Sequence, residues 1–290
     1  MAEELRRMEG KRCLVTGATS GIGAVTAQEL ARLGAEVILV GRNPEKCEEM
    51  RERLRQQSGD AAIHAMVADL SSQAEVRRLA EVVRDRFDRL DVLVNNAGAL
   101  FLERRESVDG IEMTFALNHL AYFLLTHLLL DRLKAAAPSR IVVVASDAHR
   151  GASIDFEDLQ GRDRFKGFRA YRQSKLANIL FAGELARRLD GSGVTVNALH
   201  PGVVNSSFFS SGEGPAWWVM KRVAGLFAIS PEHGARTSVY LARSPEVEGV
   251  SGAYFVKQRE VKPDAAAQDD EVARRLWRVS EELTGLEPSA

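Results

Sequence analysis

Thr16-Gly17-Ala18-Thr19-Ser20-Gly21-Ile22-Gly23 follows an apolar run, Arg12 to Thr16, and opens a segment of helical periodicity. A glycine-rich turn between a first strand and a first helix suits a dinucleotide. Glycines let the backbone approach a pyrophosphate, and the helix start offers free N–H groups and a positive dipole end. Gly17, Thr19, Ser20, Gly21, Ile22 and Gly23 are the candidate cradle. Their spacing is G-x-x-x-G-x-G, one residue wider between the first two glycines than the general fingerprint. Taken alone, such a turn has as its lesser reading an ordinary strand-to-helix connection.

Working outward, strand-like runs occur at Arg12 to Thr16, Glu36 to Val40, Ala61 to Val67, Asp91 to Val94, Arg140 to Ala145, Val194 to Leu199 and Ala253 to Val256, alternating with helical patterns. Several are continuously apolar, as strands covered on both faces by helices are. The pattern predicts an α/β chain with a doubly wound, parallel, seven-stranded sheet and helices on both faces. Asn43-Pro44-Glu45 supplies an N-cap, a proline at the first helical position and an acid in the first turn, and Gly34 stops the preceding helix. With 290 residues and 45% hydrophobic content the whole chain, 1–290, fits one domain.

The balance of 39 basic and 40 acidic residues leaves a formal charge of -1, so no overall field draws nucleic acid or an anionic membrane. Cys13 and Cys47 lack ligand or CxxC spacing and read as reduced thiols, consistent with the cytoplasm. The charged N-terminus has no apolar signal core. The apolar stretch from Phe115 to Leu133 is interrupted by polar residues and reads as a buried helix rather than a membrane span. The six histidines lack ligand spacing, so no metal is predicted, and no G-x-S-x-G elbow supports a hydrolase.

Two further readings concern chemistry. Many dinucleotide folds place an acid at the end of the second strand to hold ribose hydroxyls. Here Gly41 and Arg42 stand there, and an arginine favours a 2′-phosphate by charge and forked hydrogen bonding. NADP(H) is the preferred cofactor, with NAD(H) the secondary one. Tyr171 and Lys175 are four apart in a helical stretch, about 25 residues after Ser146 closes an apolar run. At roughly 5 Å and an effective dielectric of about 20, the ammonium would stabilise a phenolate by some 3 kcal/mol and draw the phenol toward neutrality. Such a phenol could exchange a proton while a nicotinamide exchanges a hydride.

Together, Thr16 to Gly23, Asn95-Asn96-Ala97-Gly98, Asn118, Ser146, Tyr171 with Lys175, and Pro201-Gly202 resemble, in order and spacing, the short-chain dehydrogenase/reductase family over about residues 10 to 260. Gly41-Arg42-Asn43, Ser174 to Phe181 and His200-Pro201-Gly202-Val203-Val204 look like its retinol dehydrogenase and WW-domain oxidoreductase branch. The resemblance implies a single-domain Rossmann fold. It makes Tyr171 the general acid/base, Lys175 its partner and a ribose ligand, Ser146 a donor to the substrate oxygen, and Asn118 the holder of a proton-relay water. It also implies cofactor contacts from Arg42 and Asn43, from Asp69 and Leu70 at the adenine, from Asn95, Ala97 and Gly98 on the adenosine side, and from Pro201, Gly202, Val204 and Ser206 at the nicotinamide end. Ser206 stands where the family usually has threonine, keeping the hydroxyl.

Residues 202–230, with Phe208, Phe209, Trp217, Trp218 and Met220, read as an apolar substrate flap, which suits a lipophilic aldehyde, ketone or alcohol. Residues 261–290 read as a helical extension. Pairing of the Phe115 to Leu133 and Leu176 to Leu189 helices across a two-fold axis, as in related family members, implies a homodimer or homotetramer. The competing reading is a dinucleotide-binding sensor or scaffold that turns over nothing.

Overall fold

The computed structural model describes residues 8–59, 61–202 and 229–287. The strands are β1 (Arg12–Thr16), β2 (Glu36–Gly41), β3 (Ile63–Val67), β4 (Val92–Asn95), β5 (Ser139–Val144), β6 (Val194–His200), β7 (Tyr254–Val256) and β8 (Arg259–Glu260). They form one sheet in the order β3-β2-β1-β4-β5-β6-β7-β8. The first seven are parallel, and β8 turns back antiparallel on β7. The eighth strand corrects the expected seven. Its tight turn places Lys257 and Gln258 at φ 51° and 63°, and neither residue type advertises such a turn as Asn-Gly would.

The principal helices are α1 (Gly21–Arg32), α2 (Pro44–Ser58), α3 (Gln73–Arg86), α4 (Met113–Phe115), α5 (Ala121–Leu128), α6 (Leu130–Ala135), α7 (Gly167–Arg188), α8 (Pro231–Arg243) and α9 (Asp270–Thr284). Alternation within each strand sends side chains to opposite faces. Leu14, Ile38, Leu93, Ile141 and Val143 meet Val76 and Leu79 of α3, Leu124 of α5 and Leu180 of α7. Their neighbours Cys13, Val15, Val37, Leu39 and Val94 meet Leu30 of α1, Leu54 of α2 and Leu241 of α8. The continuous apolar runs are thus explained by two covered faces. Asn43 caps α2 as expected, accepting from the Lys46 amide at 2.8 Å.

The apolar stretch from Phe115 to Leu133 is not one helix. A π-turn spans Ala116–Leu120 between α4 and α5, and Leu129 separates α5 from α6. The extra residue in the π-turn lets Asn118 and His119, neighbours in sequence, both be fully buried. α9 packs along α7, and its Trp277 ring lies 5.0 Å from Phe123 of α5 and 6.1 Å from Phe181 of α7. The apolar faces expected to pair with a second copy are therefore covered by the chain's own C-terminal helix. The expected homodimer or homotetramer would have to pair around this helix.

Candidate active site

The strand order reverses between β1 and β4, and this switch point opens a crevice at the carboxyl ends of the strands. Thr16, the last residue of β1, ties the two sides together. Its hydroxyl accepts from the amides of Asn96 and Ala97 at 2.8 and 3.0 Å and lies 3.3 Å from the Val94 carbonyl. The Asn96 amide group donates to the Thr16 carbonyl at 2.7 Å. Gly17 then turns at φ +65°, and a Cβ there would sit 2.9 Å from the Ala97 Cα. A Cβ on Gly23 would overlap the Gly17 carbonyl and the Asn96 amide. Thr19, Ser20, Gly21 and Ile22 complete the turn into α1, whose first turn carries no acid. The cradle therefore has the close backbone and the open helix start that a pyrophosphate needs.

At the end of β2, a Cβ on Gly41 would lie 2.5 Å from Thr19 Cγ2 and 2.7 Å from Cys47 Sγ. An acidic side chain has no room there. Arg42, the next residue, is exposed and makes no ion pair among the described residues. The Asn43 carboxamide is committed to the α2 cap. Asp69 turns its Oδ1 onto the Ser71 amide and hydroxyl, at 3.0 and 2.7 Å, and Leu70 is buried beside α3. Asn95 is fully buried and donates to Thr126 at 2.9 Å. Its side chain ties β4 to α5 on the covered face of a four-residue strand. Ala97 and Gly98 do border the crevice; a Cβ on Gly98 would stand 3.1 Å from Asn118 Oδ1 and 3.6 Å from Lys175 Nζ.

The chemical residues converge at the ends of β5 and β6. Ser146 follows β5, caps a short 3-10 turn by accepting from the Ala148 amide at 3.2 Å, and hydrogen-bonds the Tyr171 phenol. Lys175 is 3% exposed; its ammonium donates to the Val144 carbonyl at 3.0 Å and lies 5.7 Å from the Tyr171 ring centre. The Asn118 carboxamide donates to the Ala99 carbonyl and the Ser174 hydroxyl, both at 3.0 Å, and accepts from the Ala99 amide at 2.9 Å. Pro201 and Gly202 follow β6, Gly202 at φ +95°. Val204, Ser206 and the aromatic residues of the flap lie outside the described residues.

The phenol's titration reverses the expected direction. Burial raises Tyr171 to about 12, only partly offset by the Ser146 hydrogen bond, although the ring keeps some exposed surface. Burial likewise lowers Lys175 to about 7. The four-residue spacing disclosed the attraction but not the desolvation that opposes it. An amine that is only partly charged at neutrality also lends its neighbour less. Sequence reasoning gave no role to the Thr16 hydroxyl or the Asn96 carboxamide and overlooked Ser174 as the partner of Asn118. For Thr16 the one signal available was a polar residue closing an otherwise apolar strand.

The sequence profile described as short chain dehydrogenase matches residues 11–213. The chain belongs to this family. Among curated relatives, human retinol dehydrogenase 13 is 46% identical over 290 aligned residues, covering 96% of this chain and 86% of that protein. A crystal structure of an uncharacterized protein from Mycobacterium paratuberculosis has a TM-score of 0.80 at 35% identity, covering 100% of this chain and 99% of that one. The RhlG/NADP active-site complex of Pseudomonas aeruginosa has a TM-score of 0.69 at 29% identity, covering 87% and 96%. As a short-chain dehydrogenase of the retinol dehydrogenase-like branch, the chain is an oxidoreductase of the carbonyl/alcohol class with a nicotinamide-dinucleotide fold. No helix among the described residues is long and apolar enough to cross a membrane.

Proposed function

We propose that the chain is an NADP(H)-dependent enzyme that interconverts a lipophilic aldehyde or ketone and its alcohol. Tyr171 is the general acid in reduction and the base in oxidation. The observation that carries this reading is the meeting of Ser146, Tyr171 and Lys175 beside the glycine cradle, at the ends of successive strands. A dinucleotide is supported by the closeness of the turn, in which side chains at Gly17, Gly23 and Gly41 would collide with Ala97, with the Gly17 carbonyl and Asn96, and with Thr19 and Cys47. The cofactor, when bound, supplies or takes up the hydride at the nicotinamide.

In reduction, Ser146 donates a hydrogen bond to the substrate carbonyl oxygen, and Tyr171 gives that oxygen its phenolic proton as the carbonyl carbon gains hydride. Lys175, while cationic, stabilises the phenolate left behind and is assigned to the nicotinamide ribose. Asn118, through Ala99 and Ser174, holds the wall against which Lys175 lies. The 2′-phosphate of NADP(H) is assigned to Arg42, whose charge has no counter-ion among the described residues. Asp69, Ala97 and Gly98 are assigned to the adenosine side, and Pro201, Gly202, Val204 and Ser206 to the nicotinamide end. A lipophilic substrate is supported by Phe168, 58% exposed with its ring 6.4 Å from that of Tyr171, by nearby exposed Leu102, and by the name of the retinol dehydrogenase relatives.

The test is NADPH consumption with a panel of lipophilic aldehydes and ketones, followed by absorbance, for the wild type and Tyr171→Phe. The variant should retain NADPH binding by fluorescence while kcat falls by about 10²–10⁴-fold, the usual contribution of a placed general acid. Full activity in Tyr171→Phe removes the phenol from the proton step. A wild type that binds NADPH but reduces nothing returns the chain to the sensor reading.

A further inference from the structure

His119 follows Asn118, and in a regular helix two consecutive residues cannot both face one neighbour. The π-turn allows it here. Asn118 reaches Ser174 of α7, and His119 reaches Asn178 one helical turn further on, with Nδ1 at 3.3 Å from Asn178 Oδ1. On its other side, His119 Nε2 lies 3.0 Å from the Ser280 hydroxyl of α9. Asn178 Nδ2 lies 3.4 Å from the Val144 carbonyl, the same oxygen to which Lys175 donates at 3.0 Å. Phe115, Phe123 and Phe181 surround the imidazole, with ring centres 5.0, 6.4 and 6.2 Å away. Burial in that cage lowers His119 to about 4, so the ring is neutral at physiological pH.

The donor directions follow from these partners. Asn178 must present its NH₂ group to the Val144 carbonyl, so its oxygen faces His119 and Nδ1 carries the proton. The Ser280 hydroxyl, 2.8 Å from the Leu276 carbonyl on its own helix and 3.0 Å from Nε2, joins the ring to α9. The contacts run from α9 through His119 and Asn178 to the Val144 oxygen.

We propose that His119 and Asn178 are positioning residues for Lys175: they fix the Val144 carbonyl and occupy one side of its oxygen, and they connect the C-terminal helix α9 to the lysine's hydrogen bond. The inference rests on reading Lys175 as the partner of the proton-donating Tyr171. The positive end of the Asn178 amide approaches the same oxygen as the ammonium and opposes its charge. Near Lys175 the other titratable groups are Tyr171 on α7 and His200 at the end of β6, and neither bonds Asn178. Among the described residues Asn178 bonds His119 and Val144.

The test reads Lys175 directly, by competitive acetylation with acetic anhydride across pH and mass spectrometry of the Lys175 peptide. The full chain is used as wild type, Asn178→Leu, His119→Phe, His119→Gln and Ser280→Ala. Removing the opposing amide should raise the Lys175 midpoint by about one pH unit in Asn178→Leu, a tenfold change in proton affinity. His119→Phe should move it the same way by less, Ser280→Ala by less again, and His119→Gln, whose amide can still donate to Asn178, should restore the wild-type value. An unchanged midpoint in folded Asn178→Leu overturns the proposal. If Asn178→Leu does not fold, equal midpoints in His119→Phe and His119→Gln overturn it. Midpoints that move as expected in a protein that reduces no carbonyl would uphold the positioning role and sink the enzymatic reading instead.

Discussion

Lys175 shows at the scale of one residue that the site is built against the stability of the fold. Its amine would titrate at 10.5 in the unfolded chain and titrates at about 7 when folded. The unfolded state therefore binds more protons between those values, and stability rises with pH across that window. Below about pH 7 both states are protonated and the full cost of burying the cation remains, on the order of 5 kcal/mol at about 1.4 kcal/mol per tenfold change in proton affinity. Lys175→Met should therefore be more stable than the wild type near pH 6 by a few kcal/mol. The gap should shrink as pH rises and nearly close near pH 10. Urea midpoints at about pH 6, 8 and 10 measure it, and a gap independent of pH would show that the lysine is not desolvated in the native state. The identities of Ser146, Tyr171 and Lys175 were legible because each residue type has a chemical use at that spacing. Their titration was not, because desolvation is set by Val144 and other groups distant in sequence. Nothing local says, either, which face of β4 the Asn95 side chain takes.

At the scale of an element, the C-terminal extension changes what the other helices can do. α9 carries Val272, Leu276, Trp277 and Val279 at helical spacing in the sequence, so its existence was legible. Its docking place was not, since the apolar faces it covers on α5 and α7 read equally well as a contact with a second copy. Trp277 is the anchor: 3% exposed, edge-on to Phe123 and His127, stacked on Phe181, and capped by the Arg188 guanidinium at 4.3 Å. Trp277→Ala should cost about 3–5 kcal/mol, as large-to-small changes of buried aromatics do, and should expose Phe123 and Phe181. Thermal denaturation with sedimentation velocity gives both readouts. The variant should melt lower and self-associate more than the wild type, whereas an unchanged melting temperature would mean that α9 is not docked in solution. The π-turn is the other element that no periodicity announced. A one-residue insertion within an apolar helix leaves the pattern of buried residues nearly intact, and it shows only where consecutive polar residues are both buried.

At the scale of the molecule, the fold was legible because the sheet has two covered faces and the glycine turn fixed where the strand order begins. The eighth strand is two residues long and rests on a turn with no turn residues, which is why it escaped. The same topology makes a prediction about the cofactor. The crevice lies between the β1-β2-β3 half and the β4-β5-β6 half, joined there by Thr16, Asn96 and Ala97, so a bound dinucleotide would brace both halves against unfolding. NADPH at about 100 times its Kd should add about 2.7 kcal/mol and raise the melting temperature by several degrees, while NADH at equal concentration should add less. Arg42→Asp should weaken NADPH by about 10- to 100-fold, the range expected for a charge-assisted hydrogen bond to phosphate, and leave NADH equal or tighter. Thermal shift titrations of both cofactors on both proteins measure this without any substrate. If the ratio of the two affinities is the same in Arg42→Asp as in the wild type, the arginine does not meet a 2′-phosphate, and the preference for NADP(H) loses its physical basis.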